Sequence, residues 1–322
     1  MRRALHVPTR SAICAVLFAC FAIAPTARAA TDAETKTAPP PKRARQHVPL
    51  LQSFPWVEIG GIAALAGANV VLKTYEYDIA SARGTPLIGA PPDFDRWISN
   101  RLYQGPFASP FLSHAPELVL TEVGPVAYLS YRSVDTVVLW LRGRALTPAL
   151  NPDHKLFAFA EAYLLTTVVT LAAKEAIGRV RPFEELHRYG SDPGQPKTTI
   201  SFWSNQTAAS FCFVAFTFRD LSDWLTSGPL AGRSRGARVG LGRVLPAVLM
   251  FGAAGFDGYS RIVDQRHWFS DTVVGAIVGG GIGYGVYAYH FDEEGQPRSR
   301  AAAVTSLTMV PTPGGMTLFG RF

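Results

Sequence analysis

Two blocks of this chain have residue types and spacing suited to phosphoryl chemistry: Lys174 with Arg181 and Pro182, and Ser260-Arg261 with His267 and Asp271. The non-bridging oxygens of a phosphoryl group carry charge that needs fixed cations, and arginine offers a planar fork that takes two oxygens at once. Lys174, Arg181 and Arg261 can form such a clamp. Lys174 follows an apolar segment, where a buried ammonium is costly without an anionic partner. A snorkelling helix-end lysine is the alternative, and the neighbouring Arg181-Pro182 turns the reading toward an anion site.

His267 and Asp271 are four residues apart, which on a helical turn puts them on one face. A neutral imidazole attacks through one nitrogen when the other is held by an acceptor, and a carboxylate can do this while supporting the charged ring formed later. His267 is therefore a candidate nucleophile, with Asp271 orienting it. An N-cap aspartate beside a structural histidine is the alternative. No metal is expected, since Asp264 is the one further ligand type nearby and a site needs three or four.

Together, Lys174-x6-Arg181-Pro182, Ser204 flanked by Ser201-Phe202 and Thr207-Ala208, and Ser260-Arg261-x5-His267-x3-Asp271 resemble the motifs of the type 2 phosphatidic acid phosphatase superfamily. That superfamily also takes in bacterial acid phosphatases and vanadium haloperoxidases. The resemblance covers roughly residues 156–291 and implies a helical bundle with its site at the helix ends, no metal and no cofactor. It further implies that Lys174, Arg181 and Arg261 bind the phosphoryl oxygens, Ser204 adds a hydrogen bond, His267 attacks to give a phosphohistidine, and Asp271 supports it.

The middle motif departs from the family. Where the family has Pro-Ser-Gly-His, this chain has Trp203-Ser204-Asn205-Gln206. Gln206 thus occupies the place of the histidine that protonates the leaving oxygen, and an amide donates a hydrogen bond but no proton. General acid catalysis is worth about 10² to 10⁴ in rate, so substrates whose leaving group needs little protonation should suffer least. His187, between the first two motifs, is a candidate replacement acid, against the plainer reading of a solvated loop histidine. Asn205 in place of glycine also alters the backbone facing the phosphate.

These residues must be positioned by helices. Apolar segments of helical length recur at 57–72, 118–141, 156–173, 208–218, 244–256 and 272–291, with a short helix expected near 94–103. The expected fold is all-α, a bundle of about six core helices. Two short strands around Pro311-Thr312-Pro313-Gly314-Gly315 form an expected C-terminal hairpin. In the last long segment Asp271, Gly275, Gly279 and Gly283 fall four apart, lining one face where a neighbouring helix can approach closely.

The N-terminus reads as an export signal: Arg2, Arg3 and Arg10, an apolar run at 11–24, then Ala27-Arg28-Ala29 as a small-x-small cleavage site. Its loss removes four arginines and no acid, lowering the formal charge from +7 to +3. The remaining cations form no stripe with interleaved aromatics, so no nucleic-acid partner is expected. Cys14 and Cys20 leave with the signal, and Cys212 alone makes no intrachain disulfide. The expected divisions are a signal at 1–29, a Pro/Lys-rich linker at 30–50, the phosphatase-like helical domain at 51–292 and a tail at 293–322.

Only 272–291 is an uncharged run of twenty, about the length that spans a bilayer. Arg233, Arg235, Arg238 and Arg243 form a basic loop, and Arg142, Arg144 and Lys155 another; if these face the cytoplasm, the motifs face outward. The reading that follows is a phosphatase of the bacterial cell envelope, in the inner membrane facing the periplasm or in the periplasm itself, acting on a lipid or isoprenyl phosphate or diphosphate. A phospholipid-binding protein without turnover is the alternative. Vanadate-dependent halide oxidation stands third, disfavoured by the missing histidine.

Overall fold

The computed structural model describes residues 56–83, 86–88, 91–103, 115–141, 152–188, 199–298, 306–312 and 315–321. The expected export signal and linker lie outside these residues. Helix α1 covers Trp56–Arg83 and α2 covers Asp93–Leu102. A π-helical turn at Leu118–Val123 runs into α3, Gly124–Leu141. Helix α4 is Pro152–Ile177, α5 a single turn at Pro182–Glu185, and α6 Asn205–Ser227. A short α7, Arg235–Val239, passes through a second π-helical turn, Gly240–Val244, into α8, Leu245–Val263, and α9 is Phe269–His290.

The six apolar segments fall on these helices, with 118–141 and 244–256 each beginning in a π-helical turn and 272–291 ending one residue past α9 at its C-cap, and the bundle is all-α as expected. Beyond it, Ser306–Thr312 and Gly315–Arg321 pair antiparallel, with Thr312 opposite Gly315. One core cluster, toward the start of α4 and the end of α9, is aromatic. Phe159 of α4 meets Phe216 of α6 edge to face at 5.3 Å, and Phe216 meets Tyr287 of α9 in the same way at 5.2 Å. Such pairs contribute about 0.5–1.5 kcal/mol each beyond the area they bury.

The tightest contact in the bundle is between α6 and α9, and glycine permits it. A Cβ on Gly279 would lie 1.9 Å from the Ala208 carbonyl oxygen, one on Gly283 2.4 Å from that of Cys212, and one on Gly275 2.7 Å from that of Ser204. The four-residue spacing read from the sequence is therefore a backbone-to-backbone seam. It locks the start of α6 to the start of α9, and the Ser204 N–H donates to the Asp271 carbonyl at 3.1 Å.

Four helical stretches are long and apolar enough to cross a membrane: Val57–Glu76, His154–Ile177, Arg235–Val263 and Phe269–His290. The number of apolar segments in the sequence favours several spans, although as an uncharged run of twenty the last stands alone because charges and short runs interrupt the others. Helical continuity through Pro246 and through the polar ends of α1 and α4 supplies the missing length. These stretches suit a membrane-associated protein. Large exposed apolar side chains on α1 and α8, such as Val70, Val71, Val248 and Leu249, agree with this.

Candidate functional site

A cavity of about 480 Å³ opens where α1 and α4 end and where the π-helical turn, α6 and the α8–α9 loop come together. Helices therefore alternate toward and away from it. Lys174, Arg181, Gln206 and His267 all line it. So does Arg266, a cation that the motif reading did not single out. Glu76, Glu117 and Glu122 add an acidic side.

Lys174 sits in the last turn of α4, only 5% exposed. The chain then turns through Gly178, at a φ of 62°, into an extended stretch that bridges to residues 199–201. Arg181 ends that stretch as the N-cap of α5, with Pro182 at the first helical position, where its missing N–H costs nothing. Arg181 Nη1 donates to the Arg266 carbonyl at 3.4 Å, tying the two motif blocks together.

The loop carrying His267 is held by Gln265. Its backbone has a φ of 57°, uncommon for a residue with a side chain. That side chain accepts from Ser99 Oγ at 2.6 Å and donates to the Ser99 and Ile262 carbonyls at 3.2 and 3.1 Å. The Arg266 and His267 N–H groups both return to the Arg261 carbonyl. The loop is thus fixed to α2 on one side and α8 on the other.

His267 is 2% exposed, and its Nδ1 lies 2.9 Å from the Ser201 carbonyl oxygen. A carbonyl only accepts, so Nδ1 carries the proton and Nε2 keeps its lone pair. Asp271 Oδ2 is 3.8 Å from Nδ1, beyond a hydrogen bond but close enough for electrostatic support. Burial lowers the His267 pKa to about 3; Asp271 opposes this, while Arg181 and Lys174 add to it. The ring is therefore neutral at neutral pH, as a nucleophile must be.

Asp271 is held by other partners. Arg179 Nη1 donates to Oδ1 at 2.6 Å, Ser201 Oγ to Oδ2 at 2.5 Å and the Trp268 N–H to Oδ2 at 3.1 Å. The second arm of Arg179 reaches Asp95 Oδ2 at 2.8 Å, and Ser270 joins Arg179 to Asp95. Arg179 is 2% exposed. Asp271 is not the N-cap weighed for it: Trp268 holds that position, and Asp271, three residues on, accepts from the Trp268 N–H while standing beside His267.

Two expected phosphate ligands do not line the cavity. Ser204 is fully buried, and its Oγ caps α6, accepting from the Thr207 N–H at 3.3 Å and from Thr207 Oγ1 at 3.0 Å. The reason is local: serine at an N-cap satisfies the first free amides of the helix. Arg261 is 1% exposed, with Nη1 on Glu117 Oε2 at 2.9 Å and Nη2 3.6 Å from Asp264. His187 is exposed at a φ of 48° and is not among the cavity residues. Gln206 donates to Glu117 and accepts weakly from Arg261 Nη1 at 3.5 Å.

Sequence reasoning missed Ser201, Arg179, Glu117 and Arg266. Arg179 was visible as a second arginine two residues before Arg181, and Arg266 as a cation next to His267. Ser201 holds Asp271 through its hydroxyl but His267 through its main-chain carbonyl, and the second leaves no trace in residue type.

Comparison with known proteins places these motifs. The family model described as the PAP2 superfamily matches residues 155–294. A PA-phosphatase related-family protein of Dictyostelium discoideum is 27% identical over 143 residues, 43% of this chain and 49% of that protein. The chain thus spans about half the length of this curated relative. No solved structure matches it.

Proposed function

Because residues 155–294 match the family model of the PAP2 superfamily, we propose that the protein is a membrane-associated phosphatase that works through a phosphohistidine at His267. The observation that carries this is the buried, neutral imidazole whose Nδ1 is pinned by the Ser201 carbonyl, leaving Nε2 for attack beside Lys174 and Arg181. Those two cations, with Arg266 on the same cavity, offset the charge of the phosphoryl oxygens and of the transition state. Nε2 forms a bond to phosphorus as the leaving oxygen departs.

The proposed substrate is a lipid or isoprenyl phosphate or diphosphate of the bacterial cell envelope. Exposed apolar helices flank a polar cavity, which suits a molecule with an apolar tail and an anionic head. The basic residues Arg233, Arg235 and Arg238 follow the end of α6, away from the cavity, which supports a cavity facing out of the cytoplasm. The export signal read at 1–29 supports a place in the cell envelope. Gln206 brings no proton, so a diphosphate, whose leaving group departs as a stable anion, is the favoured class.

Phosphate release from a panel of lipid monophosphates and diphosphates in detergent micelles tests this. We expect release by the wild-type protein and loss with His267→Ala; equal rates for the two would sink the mechanism. The Trp203-Ser204-Asn205-Gln206 departure supports a second reading, a binder of phosphorylated lipids without turnover. Binding of such lipids with no phosphate release on any member of the panel would favour it.

A further inference from the structure

Glu117 lies outside the segment that matches the family, immediately before the π-helical turn, yet its carboxylate is at the heart of the altered motif. Oε2 accepts from Arg261 Nη1 at 2.9 Å, and Oε1 accepts from the side-chain amide of Gln206. The segment bearing it is fastened: Thr121 Oγ1 donates to the Glu117 carbonyl at 2.8 Å, and Tyr163 of α4 donates to the Thr121 carbonyl at 2.5 Å. Its side chain keeps 21% exposure, on the cavity that His267 also lines. Glu76 and Glu122 share that cavity, but among the described residues Glu117 is the acid bonded to both Gln206 and Arg261.

A phosphohistidine route needs proton transfer twice, once to the leaving oxygen and once from the water that discharges the intermediate. The first is dispensable when the leaving group is a stable anion. The second is not, and Gln206 cannot perform it. A carboxylate oxygen accepts, and the 21% of the Glu117 side chain left exposed on the cavity gives a water access to it, so Glu117 is the proton acceptor at hand. Gln206, facing Glu117 with its N–H and Arg261 with its oxygen, is then an orienting group.

Resting on the phosphatase reading above, we propose that Glu117 is the general base that discharges the phosphohistidine. Water attacks phosphorus, and its oxygen forms the new bond as the bond from phosphorus to His267 Nε2 breaks. The electron pair returns to Nε2, the water proton passes to the Glu117 carboxylate and on to solvent, and inorganic phosphate leaves. The role that a histidine would hold at position 206 has moved to a carboxylate 89 residues earlier, held by the residue that replaced it.

Rapid mixing with a short-chain isoprenyl diphosphate labelled in its terminal phosphate, followed by alkaline quench, measures formation and discharge of the phosphoprotein separately. In Glu117→Gln we expect formation to persist, the label to accumulate, and turnover to fall about 10²- to 10⁴-fold. In Glu117→Ala, added formate should restore part of the discharge rate, which a structural role would not allow. Discharge at the wild-type rate in either variant overturns the role of Glu117 alone. Loss of formation together with discharge in folded variants, without formate rescue, also overturns it. A wild-type protein that neither takes up label nor releases phosphate overturns the phosphatase reading, and this proposal with it.

Discussion

His267 Nδ1 is 2.9 Å from the Ser201 carbonyl oxygen and 3.8 Å from Asp271 Oδ2, so the backbone holds the imidazole and the carboxylate stands behind it. In a triad where the carboxylate alone sets the tautomer, exchanging it for an amide costs about 10⁴ in kcat. Here the carbonyl keeps Nδ1 protonated without help. We therefore expect Asp271→Asn to lose well under that factor, with the Nδ1–H tautomer unchanged in nitrogen NMR. A full 10⁴-fold loss in a folded variant would return the tautomer-setting role to Asp271.

Arg179 is the counter-ion of two buried carboxylates, Asp95 and Asp271, at 2.8 and 2.6 Å. Removing one partner of a buried pair leaves an uncompensated charge and costs about 3–5 kcal/mol. Arg179→Ala should therefore lower stability by about that amount, read by thermal or chemical unfolding in detergent. Adding Asp95→Asn to Arg179→Ala should recover part of the loss, because one stranded carboxylate is then gone. No recovery would mean that the arginine acts mainly through packing against Trp268, whose ring lies 5.6 Å from its guanidinium carbon.

Burial sets the sign of the pH response at His267. Its pKa in the fold is about 3 against 6.5 for the free side chain. Below about pH 6.5 the unfolded chain takes up a proton that the folded chain refuses, so stability falls as pH drops toward 3. The slope from this one group approaches about 1.4 kcal/mol per pH unit. Lys174 and Arg181 face the ring with the same sign of effect, and Asp271 opposes them. Unfolding measured from pH 6 to pH 4.5 should be less steep in His267→Gln than in the wild type. The kcat/KM profile should show no acid limb near 6.5; a limb there that tracks the His267 ring signal would place the ring in solvent.

The glycine seam gives a prediction about the fold itself. Gly279→Ala would set a methyl 1.9 Å from the Ala208 carbonyl oxygen, and that neighbour is backbone. Overpacking of this kind costs typically 1–3 kcal/mol, occasionally more. Because the seam also positions Ser204 against Asp271, we expect a lower unfolding midpoint together with reduced phosphate release. Gly281→Ala, which meets nothing within 4 Å, is the control and should change neither.

What could be read from the sequence follows the range of the interactions. Helices and the α6–α9 seam were legible because apolar length and four-residue spacing are local signals. Lys174, Arg181 and His267 were legible because the chemistry needs those side chains, and the fold brings all three to one cavity. Ser204 and Arg261 carry the expected residue types, but a helix cap and a carboxylate from 144 residues away engage them. That carboxylate, Glu117, is one acid among 24 acidic residues, with no neighbour in sequence to mark it. Long-range pairing of single charges has no local pattern, and a carbonyl acceptor such as Ser201 has none at all.

Restoring the missing histidine separates the two halves of the reaction. Gln206→His would supply a group able to protonate a leaving oxygen, next to Glu117, which can hold its ring. A lipid monophosphate leaves as a poor alkoxide and needs that proton, whereas a diphosphate leaves as a stable anion and does not. We therefore expect a gain in kcat on monophosphates, within the range of about 10² to 10⁴ for general acid catalysis, and little change on diphosphates. Parallel assays of both classes with wild type and variant check this. Equal gains on both would place the deficit in the step they share, discharge of the phosphohistidine, and would count against Glu117 as its base. No gain on either, with phosphorylated lipid still bound, would favour the binder over the catalyst.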